Sequence, residues 1–307
     1  MRTMYTYNYF FGIQHQLPGN MAIEANYVGS VGHKTYMGYD VNRFAGDLLS
    51  GTLHRLNPSF AAIEYGQARG SSFYNGGNVS LKKRYSSGLD LQAAYTYGKA
   101  IDDSSSFGLG LNIEDANNLR LSRGLADFDV RNKLALSLLY ETPKLGSSRL
   151  TALLSKWEVG AVTILQSGRP FPVYCGSCDY NLDGTYYDYP NAPSFGGYKG
   201  GFSRQQYLSG IFPASAFPAP APGHDGYLGR NMYFGPHYYN TNLNIVKRFP
   251  LPFLGEQGML DFRTEFFNLF NTTNLDGVVG DVASGQFGQA TTALGARNVQ
   301  FGLKLAF

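Results

Sequence analysis

The stretch VSLKKRYSSGLDLQAAYTY, residues 79–97, decides the fold. Leu81 alternates with Lys82 before the central Ser-Ser-Gly, and Leu91 alternates with Gln92 after it. A period of two residues is typical of strands whose two faces meet different surroundings, and Ser-Ser-Gly supplies turn chemistry. The stretch therefore predicts an antiparallel hairpin with one apolar face and one polar face.

The same alternation recurs along the chain and predicts nine strands. They cover about residues 4–14, 21–27, 79–85, 89–97, 130–140, 157–166, 243–249, 260–266 and 299–307. Short turns join the strands at one end, including a turn near Pro143 to Ser148, and long segments join them at the other end. The long segments run from about Gly32 to Asn75, Asp102 to Ala126, Gly168 to Tyr238 and Asn271 to Ala296. This asymmetry matches outer-membrane barrels, in which the long loops are extracellular.

Alternation alone fits a soluble β-sandwich as well as a membrane barrel. The aromatic residues separate the two, because they lie near both ends of the apolar face with aliphatic residues between them. Tyr5, Tyr7, Tyr27, Tyr95, Tyr97 and Phe128 lie near the long loops, and Tyr85, Tyr140, Trp157, Phe249 and Phe307 lie near the short turns. We therefore predict an all-β fold, an antiparallel transmembrane β-barrel of about nine strands, embedded in the lipid of the bacterial outer membrane.

Composition and motifs argue against several other classes of protein. A formal net charge of +3 gives no reason to expect a nucleic-acid partner. The five histidines are scattered, and the sequence has neither a nucleophile elbow nor a phosphate-binding loop. Asp102, Asp103, Asp127 and Asp129 are interpreted as solvated carboxylates at strand ends. We therefore predict that the chain is not an enzyme and needs no cofactor.

One long segment contains a possible metal site. Asp179, Asn181 and Asp183 alternate before a glycine, as at the start of a calcium loop, and Asp188 offers a further carboxylate. An EF-hand is excluded because Pro190 stands where its last ligand, a Glu, is needed. A structural Ca²⁺ at these four residues is one hypothesis, and a solvated surface loop is the other.

Cys175 and Cys178 lie at the start of the same loop. A disulfide is favoured, because assembly in the outer membrane passes through an oxidising periplasm. Half of a zinc site is an alternative, but the nearest histidines, His224 and His237, lack finger-like spacing. A redox pair would need a helix N-terminus and a βαβ setting, which the pattern does not indicate.

Several stretches resemble a known family. Phe301, Leu303, Leu305 and Phe307 alternate as in the terminal strand that outer-membrane proteins present to the barrel-assembly machinery. The further stretches are LPGNMAIEANYVGSVGHK (17–34), VSLKKRYSSGLDLQAAYTYGKAIDDSS (79–105), DFDVRNKLALSLLYETP (127–143), ILQSGRPF (164–171) and LDFRTEFFNLFNTTN (260–274). Together they resemble the C-terminal barrel of Oar-like TonB-dependent receptors.

The resemblance implies an organisation and a function. Residues 1–307 would form the C-terminal part of such a barrel, without the signal peptide, the plug domain and the segment that contacts the TonB system. The complete receptor would bind an unknown extracellular ligand and import it as a large or scarce nutrient. The alternative is a non-transporting surface barrel or adhesin. Loop tyrosines suited to stacking on sugars or peptides are Tyr186, Tyr187, Tyr189, Tyr198 and Tyr207.

Overall fold

A computed structural model describes residues 3–105, 113, 115, 118–146, 149–196, 200–255 and 258–307 of the chain. Strands dominate these residues. The strands are β1 (Tyr5–Leu17), β2 (Met21–Asp40), β3 (Glu64–Ser86), β4 (Leu89–Asp102), β5 (Gly124–Leu125), β6 (Asn132–Glu141), β7 (Trp157–Gln166), β8 (Pro170–Phe171), β9 (Tyr233–Phe234), β10 (Tyr238–Pro250), β11 (Met259–Phe267), β12 (Leu275–Val278), β13 (Ala290–Ala293) and β14 (Asn298–Ala306). The two short α-helices are α1 (Arg149–Leu154) and α2 (Arg204–Ser209). No helix among the described residues is long and apolar enough to cross a membrane.

Nine long strands form one antiparallel sheet in the order β1-β2-β3-β4-β6-β7-β10-β11-β14. Each of the nine overlaps a predicted strand, so the alternation of apolar and polar residues correctly identified the long strands of the sheet. The short β5 pairs with the end of β4. Two small ladders, β8 with β9 and β12 with β13, lie outside the sheet in the long loops.

The strand register produces the two faces that the sequence predicts. Ile23, Leu81 and Ala93 lie side by side across three strands, and Leu136 lies beside Ala93 on the next strand. One residue along, the neighbours on the opposite face are Lys82, Gln92 and Ser137. The exposed aromatic residues on the apolar face include Tyr7, Tyr27, Tyr95, Tyr97, Tyr85 and Tyr140. A contiguous exposed apolar face of this size marks a surface that contacts a membrane or a protein partner.

The loop predicted from Gly32 to Asn75 is shorter in the structure, because both neighbouring strands extend into it. β2 continues to Asp40 and β3 begins at Glu64, with a register irregularity near His33. Glycines in both strands conceal the alternation, and aromatic rings of the same sheet cover some of them. A Cβ at Gly66, for example, would lie 1.7 Å from the Tyr36 hydroxyl oxygen. The ring fills the space that a side chain would otherwise occupy.

The predicted turn near Pro143 to Ser148 is also longer than expected. The connection runs from Glu141 to Trp157 and includes the helix α1, while residues 147 and 148 lie outside the described part. Trp157 closes the connection, because its backbone N–H donates to Thr142 Oγ1 at 2.8 Å and its ring N–H donates to the Leu153 carbonyl at 2.8 Å.

The long segments 168–238 and 271–296 fold together into what we call the loop lobe. Aromatic residues form its core. The buried members are Phe171, Val173, Tyr189, Phe212, Phe217, Leu228, Tyr233 and Phe287. Tyr233 is fully buried, and its ring lies 4.8 Å from the ring of Phe212, centroid to centroid. The loop lobe therefore has a densely packed apolar interior, larger than the buried cluster of Met37, Tyr39 and Ile113 at the end of β2.

Candidate ligand-binding site

Arg230 joins the loop lobe to the end of the sheet that carries the long loops. Its guanidinium donates to the Ser122 carbonyl at 2.8 Å, to the Asp102 carbonyl at 2.9 Å and to the Asp102 carboxylate. It also lies 3.4 Å from Asp127 Oδ1 and 3.1 Å from Ser105 Oγ. A planar guanidinium with five donors suits such a multiple contact. Arg230 thereby fixes the loops that follow β4 and β5 against the loop lobe.

A cavity of about 250 Å³ lies beside this junction. The side chains around it are mainly hydrogen-bond acceptors and aromatic rings. They are Asp103, Ser104, Ser105, Asp127, Pro172, Tyr174, Tyr187, Tyr189, Arg230 and Asn231. Because the lining comes from two separate long loops, the cavity exists only when both loops are folded. We call it the junction cavity.

Asn231 lies in the wall of the junction cavity. Its side-chain N–H groups donate to the Leu125 carbonyl at 2.7 Å and to Asp127 Oδ1 at 2.6 Å. Both partners are acceptors, so the orientation of the amide is fixed. The Oδ1 atom of Asn231 is buried and has no hydrogen-bond partner. Asn231 is fully buried, so this side chain supports the wall of the cavity from behind and fixes Asp127, which is exposed.

Two stacked tyrosines form the aromatic wall of the junction cavity. The rings of Tyr174 and Tyr187 lie 5.3 Å apart with an interplanar angle of 26°. Tyr187 has a φ of 86°, which is unusual for a bulky L-residue. Burial raises the pKa of Tyr174, with a smaller contribution from the negative charge of Asp281. The strained backbone holds an exposed ring in place, as is found at binding sites.

The predicted loop tyrosines divide into two groups. Tyr186 and Tyr187 are exposed, and only Tyr187 of these two lines the junction cavity. Tyr207 is buried, and its hydroxyl donates to the Phe234 carbonyl at 2.9 Å, so its interpretation as a stacking residue is wrong. Tyr189 belongs to the aromatic core, although it also borders the cavity. Tyr198 lies outside the described residues.

The sequence analysis missed Arg230 and Asn231, and it misjudged two of the carboxylates. Asp102 and Asp129 are buried and not solvated. Asp102 pairs with Arg230, and Asp129 accepts the Ala100 backbone N–H at 2.6 Å. The adjacent Arg-Asn pair at 230–231 was the available signal, but nothing local indicates that its partners are a hundred residues away.

The four candidate calcium ligands lie in one loop at the edge of the loop lobe. Asp179 accepts the backbone N–H groups of Asp183 and Gly184, each at 3.0 Å. Asp188 accepts the backbone N–H of Asn181, also at 3.0 Å. These carboxylates therefore organise the loop through its own backbone. Among the described residues, no group of three His, Cys, Asp or Glu side chains is arranged to hold a metal ion.

A positively charged side chain from the segment after β2 lies against this loop. Arg43 Nη1 is 3.0 Å from Asp183 Oδ2, and both side chains are almost fully buried. Burial raises the pKa of Asp183, while Arg43 opposes that shift. Burial also raises the pKa of Asp188 to about 6 and raises the pKa of Asp225. The loop thus holds more negative charge than Arg43 compensates.

A disulfide joins Cys175 and Cys178, with their Cα atoms 5.3 Å apart. The Cys175 N–H donates to the Asp188 carbonyl at 2.8 Å, and the Gly176 N–H donates to Asp281 Oδ1 at 2.9 Å. The start of the acidic loop is thereby attached to its own end and to the segment between β12 and β13. These contacts also fix Tyr174, which directly precedes the disulfide.

The residues of the predicted assembly signal lie on β14, at one edge of the sheet, or directly after it. Phe301, Leu303, Leu305 and Phe307 all have exposed side chains. All nine residues of β14 are exposed, as are twelve of the thirteen residues of β1 at the opposite edge. In the described part of the chain, β1 pairs only with β2 and β14 pairs only with β11, so both edges of the sheet are open.

Comparisons with known proteins agree with this architecture. The chain is similar in structure to the outer membrane transporter YddB of Escherichia coli, with 12% identity and a TM-score of 0.55, over 98% of this chain and 32% of that one. It also matches FpvA of P. aeruginosa bound to a heterologous pyoverdine and iron, with 14% identity, a TM-score of 0.39, and 96% and 26% of the two chains covered. A third match is the complex of FpvAI with pyocin S2, with 13% identity, a TM-score of 0.42, and 96% and 27% covered.

The chain thus spans about a third of the length of YddB and about a quarter of the length of the other two. A search of curated protein sequences found no match. The sequence pattern of a family described as "Outer membrane beta barrel domain" matches residues 1–300. The chain therefore belongs to the family of outer membrane β-barrel domains, and its sheet is an antiparallel β-barrel structure of the bacterial outer membrane.

Proposed function

We propose that this chain is part of an outer-membrane transporter of the TonB-dependent, Oar-like type, and that it captures an extracellular nutrient in the junction cavity. The observation that carries the proposal is the exposed ring of Tyr187, which stacks on Tyr174 in the wall of a cavity lined by two long loops. The fold it shares with an E. coli outer membrane transporter supports the same function. The role is one of binding and import rather than of catalysis.

The lining of the cavity indicates the chemistry of the ligand. Asp127 offers exposed carboxylate oxygens as acceptors, and the tyrosine rings offer flat apolar surfaces. A ligand with several hydroxyl or amine donors next to a flat apolar face fits both features. A sugar ring has this combination, and a cavity of about 250 Å³ is suited to one such ring and not to a whole oligomer.

The two open edges of the sheet indicate which further parts the transporter needs. Unpaired backbone groups at a strand edge are costly in lipid, so we propose that further strands of the barrel cover β1 and β14. A plug domain that contacts the TonB system would complete the receptor. The exposed strand β14, followed by Phe307, would be the segment that the barrel-assembly machinery binds.

Uptake measurements on cells that produce the full-length protein test the proposal. The probes are radiolabelled glucose, maltotriose and a tripeptide, each added with and without an uncoupler of the inner membrane. Transport predicts accumulation of a sugar probe that the uncoupler abolishes, while binding at the cell surface remains. Binding without any energised accumulation would favour the alternative, a surface barrel or adhesin.

A matched pair of variants tests the cavity itself. Tyr187→Ala removes half of the stacked pair and should weaken sugar capture about fivefold, since an aromatic contact contributes on the order of 1 kcal/mol. Tyr186→Ala removes the neighbouring exposed ring, which does not line the cavity, and should leave capture unchanged. Equal effects of the two substitutions would exclude the junction cavity as the binding site.

A further inference from the structure

A cavity of about 530 Å³ lies between the sheet and the loop lobe. Gln166 and Tyr238 form the side that belongs to the sheet. Gln166 is paired with Tyr238 on one neighbouring strand and with Lys133 on the other. Lys133 precedes Ser137 by four positions on β6, so all of these side chains lie on the polar face. We call this space the inner cavity, because it lies on the face of the sheet that is turned away from the lipid.

The opposite side of the inner cavity is apolar and belongs to the loop lobe. Phe171, from β8, is part of the buried aromatic core, and Val278, from β12, packs against that core. Leu275 and Leu294 add further apolar side chains. The aromatic core therefore holds this wall in a fixed position. A volume of about 530 Å³ lies within the range of roughly 300–1,000 Å³ that is typical of small-molecule sites.

Two side chains of opposite charge line the inner cavity without being paired. Arg169 and Asp276 are both exposed. In the described part of the chain, no ion pair contains either of them. Asp127 also borders the cavity, but its Oδ1 atom already accepts from Asn231 at 2.6 Å and lies 3.4 Å from Arg230. The inner cavity therefore offers one free guanidinium and one free carboxylate to a ligand.

We propose that the inner cavity binds a short peptide whose two termini are free. The carboxylate of the peptide would accept two parallel hydrogen bonds from Arg169, a geometry that suits a planar guanidinium. The ammonium group of the peptide would pair with Asp276. Apolar side chains of the peptide would pack against Leu275 and Leu294, and the Gln166 amide would pair with its backbone.

Other classes of ligand match only part of this lining. A free anion such as phosphate would contact Arg169 and would be repelled by Asp276. A neutral sugar would pair with neither charge. A peptide with free termini carries one charge of each sign, separated by a polar backbone, and so matches both side chains. The inference goes beyond the sugar capture proposed above, because the inner cavity shares only Asp127 with the junction cavity.

Isothermal titration calorimetry on the purified full-length protein in detergent tests the proposal. The probes are leucyl-leucine, its C-terminal amide and its N-acetyl derivative. We expect leucyl-leucine to bind most tightly, and each derivative to bind about fivefold more weakly, because each lacks one terminal charge and therefore one partly exposed charge pair. Arg169→Gln should weaken the binding of leucyl-leucine about fivefold and should hardly change the binding of the amide, which has no carboxylate. Asp276→Asn should weaken leucyl-leucine in the same way and spare the N-acetyl derivative.

The matched control is Arg204→Gln, which removes an exposed arginine of α2 that does not line the inner cavity. It should leave peptide binding unchanged, and heat-modifiable migration on gels should show that all variants are folded. Absence of leucyl-leucine binding, equal affinities of the three probes, or equal effects of Arg169→Gln on leucyl-leucine and on its amide would overturn the proposal. Tyr187→Ala should not alter peptide binding, so loss of sugar capture with intact peptide binding would count against the sugar site alone.

Discussion

The sheet and the loop lobe place similar aromatic residues in opposite surroundings. In the sheet, Tyr7 and Tyr97 point outward and are more than half exposed. In the loop lobe, Tyr207 and Tyr233 are almost fully buried. Apart from a small buried cluster around Met37 and Tyr39 near the end of β2, the apolar side chains of the sheet face outward, because the bilayer serves as their apolar solvent. The loop lobe extends into water and must therefore bury its aromatic residues against one another.

The difference teaches that aromatic content alone does not distinguish a membrane surface from a protein core. What distinguishes them is the spacing. In the sheet, aromatic residues recur every second position, as from Tyr5 to Phe11. In the loop lobe, Phe212 and Phe217 are irregularly spaced, and their rings meet at 5.8 Å only through the tertiary fold. Four predictions test this contrast between the two regions.

The largest effect is expected from Tyr233→Ala. The substitution removes a fully buried ring from the aromatic core and should destabilise the loop lobe by about 3–5 kcal/mol, as for other large core truncations. Limited proteolysis of the membrane-embedded protein should then cut within residues 168–238, while the sheet keeps its heat-modifiable migration. Tyr227→Ala, at an exposed ring of the same segment, serves as the control. Loss of the whole barrel would show that the two regions are not separable.

Leu136→Arg probes the lipid-facing side of the sheet. A charged residue at the middle of the bilayer should lower the free energy of folding into lipid by about 2–4 kcal/mol. Ser137→Arg, one residue along and on the polar face, should have a far smaller effect. Equilibrium refolding into lipid vesicles measures both variants. If the two substitutions were equally costly, the assignment of the faces would be wrong.

Asp188→Asn tests the charge of the acidic loop. The pKa of this buried carboxyl is raised to about 6. The folded loop therefore keeps a proton between pH 4 and 6 that the unfolded chain has lost, so stability falls as the pH rises through this window. Above pH 6 the carboxylate is charged in both the folded and the unfolded chain, and its burial then lowers the free energy of unfolding by at most about 3 kcal/mol. The variant should be more stable than the wild type at pH 7.5 and should show a flatter profile between pH 4 and 6.

The same variant decides between the two hypotheses for this loop. If Asp179, Asn181, Asp183 and Asp188 bind Ca²⁺, the ion should protect the wild-type loop from proteolysis, and Asp188→Asn should weaken that protection. If Arg43 and the backbone N–H groups are the only partners, Ca²⁺ should change neither protein. Protease sensitivity of the full-length protein, measured with Ca²⁺ and with a chelator, gives the answer.

The smallest effect is expected from Gly280→Ala. A Cβ at this position would lie 1.9 Å from the Pro172 carbonyl oxygen, where the two segments of the loop lobe, 271–296 and 168–238, meet. Overpacking of this kind costs about 1–3 kcal/mol. Gly285→Ala is the control, because nothing lies within 4 Å of its Cβ position. Thermal unfolding of the loop lobe should separate the two variants, and identical curves would refute the close approach.

The sequence by itself determined the strands, their order and the orientation of their faces. Residues 79–97, for example, form parts of β3 and β4 with the predicted Ser-Ser-Gly turn between them. This was possible because each hairpin is formed by residues that are close in sequence. In addition, successive residues of a strand point to opposite faces, so an odd or even position decides the surroundings of a side chain. The pattern placed the ends of β2, β3, β4 and β10 too early or too late and underestimated the Glu141–Trp157 connection. It also did not predict the short strands β5, β8, β9, β12 and β13, which are too short to show an alternation.

Only the tertiary structure decided which loop residues are available to a ligand. Arg230 and Asp102 meet across 128 positions of sequence, and Asn231 meets Asp127 across 104. Neither contact has a periodic signature, because both depend on how two irregular loops fold against each other. The same reason explains why Tyr187 lines a cavity while Tyr207 is buried. In the loops, the surroundings of a side chain are set by packing, which no short stretch of sequence encodes.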